Sequence, residues 1–391
     1  MFDNLSATLS SSMINYPISD SSLPFSDYIA RSRAIIAERR AAFSLFETEG
    51  QALDPTTIID ANSPFELRPS TSTQGRIKYG ALLIHGLLDC PFSLLDIGQR
   101  LQKEGILSRA IVLPGHGTVP QDLLQVSYHD WLQAVRYGVE SLKREVDHIF
   151  LVGYSTGAAL SVYQALQDKH VQGIILLSPA IRIKAPVDIV VGWHQVMKTI
   201  SRNSLAWVCQ EREIDYAKYK SVALNPVNQV TKLTMVLREL RQHRPLHTPM
   251  LMIISHEDET ISSHHAIDFF SSQHHENSSL LLYTAGDQSF SDPRILPRRS
   301  HYPELSINHF SHVSIPFSPD NRHYGQNGDY VHASRPRSNE VFYGAYNRIE
   351  EKLYDSLYQA GVIKRRRLEL TYNPDFNFMA EKILHFIMTS K

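Results

Sequence analysis

The chain has 391 residues, with 39 Lys and Arg against 40 Asp and Glu, a formal net charge of −1. That balance gives no electrostatic reason to expect nucleic acid or an anionic membrane as a partner. No apolar run approaches the roughly 18 residues that a membrane span needs. The start, MFDNLSATLSSS, has neither the basic residues nor the long apolar stretch of a secretory signal. Two cysteines, Cys90 and Cys209, are too few for a disulfide framework. A cytoplasmic protein with no integral membrane segment is expected, its oligomeric state left open.

Residues 1–25 are rich in Ser and read as partly irregular. Ser26 to Phe46 reads as a helix whose apolar stripe is Ile29, Ile36 and Phe43, with Arg31, Arg39 and Arg40 on a wetter side. Ser70 to Gly75 reads as a linker or tight turn. From residue 76 short apolar runs alternate with amphipathic helices. The strands are Tyr79–His85, Arg109–Leu113, His148–Val152 and Gly173–Ser178; the helices are Ser93–Glu104, Trp131–Arg144 and one ending at Ala165. Such alternation predicts a mostly parallel sheet with helices on both faces.

Residues 182–248 break the rhythm and read as an inserted helical cap. The sheet pattern resumes at Pro249–Ser255, followed by a helix near Ile261–Ser271 and a strand at Leu280–Thr284. Leu305–His309 is the candidate for the last core strand. Residues 313–340 read as a long loop, and the chain closes with helices at Arg348–Gln359 and Pro374–Ile387. The second has Asn373 as its expected N-cap. The expected organisation is an N-terminal extension with one helix (1–75), a core (76–181 and 249–391) and the cap.

The strongest chemical signal is Gly153-Tyr154-Ser155-Thr156-Gly157. It follows the apolar strand IFLV and opens the helix AALSVYQAL, the setting in which a serine is displayed on a sharp strand-to-helix turn flanked by small residues. A serine hydroxyl is a weak nucleophile and needs a general base oriented by a carboxylate. Asp258, in the loop after PMLMIIS, fits the acid position, with Glu257 and Glu259 as alternatives that otherwise read as solvated. His312 fits the base, with His309 and His301 as alternatives. Backbone N–H groups of Thr156 and of Leu87, in His85-Gly86-Leu87-Leu88, are candidates for an oxyanion hole. His264-His265 and His274-His275 have no nearby Cys or carboxylate set, so no metal is expected there.

These residues resemble the α/β-hydrolase superfamily, and within it the carboxylesterase and monoacylglycerol-lipase group. The resemblance runs through ALLIHGLLDCPFSLLDIGQRLQKEGI, LPGHGTVPQDLLQVSYHDWLQAV and FLVGYSTGAALSVYQAL. It resumes at MLMIISHEDETIS and SINHFSHVSIPF. It implies a Ser155–Asp258–His312 triad, oxyanion donors at Leu87 and Thr156, a cap shaping an acyl pocket, and a small-molecule acyl ester as substrate, with no cofactor. The extension before residue 76 and the long stretch after His312 depart from the group. Two other functions fit the same residues. One is a thioesterase or acyltransferase with the same triad, for which Arg182, Lys184, Arg298 and Arg299 are candidates for a basic mouth. The other is a non-catalytic binding protein on a hydrolase fold.

Overall fold

The computed structural model describes residues 21–41, 47–48, 51–52, 54–70, 76–182, 206–330, 341–345, 356–362 and 366–390. Its centre is an eight-stranded sheet. The strands are β1 (Phe65–Leu67), β2 (Ile77–Ile84), β3 (Leu107–Ile111), β4 (Val146–Tyr154), β5 (Val171–Leu177), β6 (Met250–Ser255), β7 (Ser279–Thr284) and β8 (Ile295–Arg299). Their order across the sheet is β8-β7-β6-β5-β4-β2-β3-β1. Every pairing is parallel except that of β1 with β3. The chain reverses its winding direction after β3, so β4 lies between β2 and β5 and its C-terminal end opens at the middle of the sheet.

Strand periodicity splits the core into two layers. Leu82, Ile84, Leu151, Ile174 and Leu176 face one side. Ala81, Leu83, Phe150, Val152, Tyr154, Ile175 and Leu177 face the other. Since successive side chains alternate between faces, both kinds of position must be apolar when helices cover both sides. The first face is covered by α1 (Phe25–Ala41), α4 (Tyr128–Lys143), α5 (Thr156–Gln167), α6 (Leu224–His243) and α7 (Ser263–Ser271). The second carries α2 (Pro55–Asn62), α3 (Leu95–Lys103) and α8 (Phe376–Thr389). This is an α/β-hydrolase fold. No helix among the described residues is long and apolar enough to cross a membrane.

Several elements differ from the sequence reading. The last strand of the sheet is β8, not Leu305–His309; Pro303–Leu305 is a 3-10 turn and Ile307 makes only isolated bridges to Tyr302 and Tyr343. An edge strand needs only one apolar face and tolerates a proline, here Pro297, so its signal is faint. Ahead of the linker, α2 and β1 join the core: β1 pairs with β3, and the buried Arg109 of β3 donates to Glu66 of β1 at 2.6 Å and to Ser141 O at 2.7 Å. α1 buries Phe25, Tyr28, Ser32, Ile36 and Arg40. Arg40 is therefore not on a wet face; its guanidinium donates to Gly117 O at 2.9 Å and to Asn62 Oδ1 at 3.0 Å.

The last helix starts at Phe376 with Asp375 at its N-cap, and Asn373 instead accepts from Asp375 N at 2.8 Å, closing the turn before it. In the stretch read as a cap, residues 183–205, with Trp193, lie outside the described residues. Residues 206–248 contain a short hairpin, Trp207–Cys209 against Val222–Ala223, and α6. α6 buries Val230, Leu233 and Leu237 in the same layer as α4 and α5. The turn at 71–75, loop residues 331–340 and most of the helix expected at Arg348–Gln359 also lie outside the described residues.

Candidate active site

β4 ends at Tyr154 and α5 begins at Thr156, so Ser155 alone makes the turn. Its backbone sits at φ +53°, ψ −111°, a conformation that costs a non-glycine residue about 1–3 kcal/mol. Backbone hydrogen bonds hold it there. Ser155 N donates to Leu177 O at 2.8 Å, and Ser155 O accepts from Ala158 N at 3.1 Å and Ala180 N at 3.0 Å. The flanking glycines follow from the same tightness. A Cβ on Gly153 would lie 2.4 Å from Gly157 O, and one on Gly157 would lie 2.0 Å from Ile84 O.

His312 and Asp258 come to this turn from distant loops. Ser155 Oγ lies 3.0 Å from His312 Nε2, and His312 Nδ1 lies 2.8 Å from Asp258 Oδ2. Asp258 is 0% exposed and His312 5%. The other oxygen of Asp258 accepts from Thr260 N at 2.8 Å and Ile261 N at 2.9 Å, so the carboxylate has a single orientation. With Asp258 accepting at Nδ1, the proton of a neutral imidazole sits on Nδ1. Nε2 is then left as the acceptor for the serine hydroxyl. The alternative bases are elsewhere: His309 Nδ1 accepts from Ala345 N at 2.9 Å, and His301 Nδ1 is 3.1 Å from Asn308 O.

The two glutamates beside Asp258 are half-buried and hydrogen-bonded, where the sequence suggested free solvation. Glu257 accepts from Ala285 N at 3.0 Å and from the hydroxyls of Ser255 and Ser300 at 3.4 Å, tying together the ends of β6, β7 and β8. Glu259 accepts from the backbone N–H of His312. Apart from the bond to Ser255, these contacts leave no sequence signature, because they join residues far apart in the chain.

Thr156 is the first residue of α5, where a backbone N–H has no partner within its own helix. Leu87 lies in the turn after β2, where Gly86 passes close to Ser155: a Cβ on Gly86 would be 3.2 Å from Ser155 Cβ. His85 orients this turn. Leu113 N donates to His85 Nε2 at 3.0 Å, which leaves the ring proton on Nδ1, 2.8 Å from Gly86 O. The Gly86 carbonyl and the Leu87 N–H share one trans peptide and point in opposite directions. By holding the carbonyl, His85 therefore aims the N–H the other way. Burial, then the neighbouring His116, hold His85 well below the usual imidazole value, so the ring stays neutral. His85→Ala should lower kcat by about 10- to 100-fold through a misdirected donor. It should also lower Tm, since Leu113 N–H loses its acceptor; steady-state kinetics and a melting curve read the two effects separately.

A second polar cluster, which sequence reasoning missed, follows His312. His323 Nε2 lies 3.0 Å from Asp215 Oδ1 and its Nδ1 bonds Asp329, while Tyr324 OH donates to Asp215 Oδ2 at 2.6 Å. Burial opposes charge on both partners, but their mutual bonds outweigh it. His323 is raised above its ordinary value and Asp215 is lowered to about 2. The cluster clamps the segment after His312 to residues around Asp215. A raised histidine stabilises the fold fully below its unfolded value near 6.5 and loses that contribution as pH rises through the folded value. The lowered Asp215 contributes above its unfolded value near 4 and fades as pH falls toward 2. Between these limits both contribute. Tm of the native protein should fall as pH rises above about 6.5, and His323→Gln should flatten that fall; melting curves across the range check it.

A parallel sheet reversed at its centre, with a strained serine displayed at the strand end there, defines an α/β-hydrolase. The chain belongs to the hydrolase family described as serine aminopeptidase, S33, whose pattern matches residues 77–286. It is 26% identical over 182 residues to a thermostable monoacylglycerol lipase of Bacillus sp. (strain H-257), covering 46% of this chain and 71% of that one. It is 22% identical over 204 residues to a carboxylesterase of Bacillus subtilis (strain 168), covering 52% and 81%. Among solved structures, one described with the metagenome-derived lipolytic enzymes LipS and LipT aligns at 20% identity and a TM-score of 0.47, covering 57% of this chain and 86% of that one.

Proposed function

We propose that the protein is a serine carboxylic-ester hydrolase of the carboxylesterase or monoacylglycerol-lipase kind. Ser155 attacks the acyl carbonyl while His312 takes its proton; Asp258 holds His312 in the required tautomer and stabilises its cationic form. The N–H groups of Leu87 and Thr156 receive the oxyanion. His312 then protonates the leaving alcohol, and the same base activates the water that releases the acid. The observation carrying this reading is the unbroken chain from Ser155 Oγ through His312 to a buried carboxylate whose other oxygen is already engaged.

A thioesterase or acyltransferase would use the same residues. A coenzyme A thioester also asks for free cations at the mouth, and three of the candidates have partners. Arg182 Nη1 lies 2.6 Å from His265 Nε2. Arg298 pairs with Asp375 at 2.8 Å, and Arg299 with Glu304 at 2.8 Å. That favours the oxygen ester. The test is a panel of alkyl esters, monoacylglycerols and acyl thioesters of matched chain length, with Ser155→Ala as control. Serine-dependent hydrolysis of the esters is expected. Faster serine-dependent turnover of thioesters would move the assignment to the second reading, and no turnover of any of them would favour a binding protein.

A further inference from the structure

His312 is held at more than its ring. Its backbone N–H lies 3.0 Å and 3.2 Å from the two carboxyl oxygens of Glu259, the residue after the proposed acid, and its carbonyl accepts from Tyr154 OH at 3.4 Å. Glu259 takes no part in the proposed reaction, and its position is unfavourable for a carboxyl group. Desolvation, then the neighbouring carboxylates of Asp258 and Glu369, push it well above the ordinary carboxyl range. If the site needed only volume, an apolar side chain would fill it without that electrostatic cost.

We propose that Glu259 is a positioning residue, whose carboxyl group fixes the backbone of His312 and so sets the reach of the imidazole between Asp258 and Ser155. The proposal rests on the reading of Ser155 and His312 as nucleophile and base. The geometry makes the need plain. The imidazole must satisfy a contact of 2.8 Å on one nitrogen and 3.0 Å on the other. The Asp258 carboxylate and the Ser155 main chain are each held by backbone bonds, so the position of His312 decides whether both contacts are met. A loop residue with two side-chain torsions meets both contacts only if its Cα is held. Adjacent residues of one loop thus grip the base at two points, Asp258 at the ring and Glu259 at the main chain. A carboxamide at position 259 keeps an acceptor oxygen for the His312 N–H.

The test compares Glu259→Gln, Glu259→Ala and Glu259→Leu in the full chain. It reads the rate of Ser155 modification by a fluorophosphonate, kcat and KM on an ester, and Tm. Misplacing the base slows chemistry rather than binding, so Ala and Leu should slow labelling and kcat by about 10- to 100-fold with KM little changed. Gln should stay within about 3-fold of the native protein, as expected when the acceptor is kept. Leu should melt within a few degrees of the native protein, because removing a carboxyl held among other carboxylates offsets the acceptor that His312 N–H loses. Slow labelling in a variant that melts normally is a result that a purely structural role would not produce. Labelling of the Ala and Leu variants at the native rate, or a Gln variant as slow as Ala, would overturn the proposal alone. A native protein that does not label at Ser155 would overturn the reading of the nucleophile, and this proposal with it.

Discussion

Asp258→Asn is expected to lower ester turnover on the order of 10,000-fold without disturbing the fold, the size seen when this exchange is made in another serine hydrolase. The reason lies in which atoms face which. Oδ1 of Asp258 already accepts two backbone N–H groups, from Thr260 and Ile261. An Asn at this position must keep its oxygen there, because turning its amide toward those groups would set donors against donors. Its NH2 then faces His312 Nδ1, which has to become an acceptor. The ring proton moves to Nε2 and points at Ser155, so the imidazole can no longer take the serine proton. Circular dichroism should match the native protein while kcat collapses. A turnover within 10-fold of native would mean that Asp258 does not set the tautomer.

Ser155→Ala should reduce kcat by about a million-fold, as loss of the nucleophile does in a serine protease. Its companion, Ser155→Gly, separates strain from chemistry. Ser155 holds φ +53°, which glycine adopts at no steric cost. Both variants should be inactive, but Gly should melt higher than Ala by the relief of about 1–3 kcal/mol of backbone strain. Equal melting temperatures would show that the turn stores no strain at this position. The expected pattern is the one in which a site is held together at some expense of stability.

The parts legible in the sequence are those that follow from short-range rules. A run such as Leu82-Leu83-Ile84 must be apolar on both faces because helices cover both, and a serine between Gly153 and Gly157 at a strand end announces a tight turn. Asp258 and His312 could be chosen because each lies just past an apolar segment, in the order the turn requires. Long-range pairings gave no such signal. β8 carries Pro297, Arg298 and Arg299 and reads as a loop, yet it pairs with β7 along its whole length. Ile307 is fully buried by side-chain packing and so imitates a strand residue. Arg40 looks solvated on a helical wheel, but its partners are Gly117 O and Asn62. The grips on His312 and His323 join residues that no local pattern connects.

The proposed chemistry depends on Ser155 being an activated nucleophile. The most direct measurement is labelling of the intact protein with a fluorophosphonate, with the modified residue located by peptide mass spectrometry. One adduct is expected, on Ser155, abolished in Ser155→Ala and strongly slowed in Asp258→Asn. A folded protein that remains unlabelled, or carries the adduct at another residue, would contradict it.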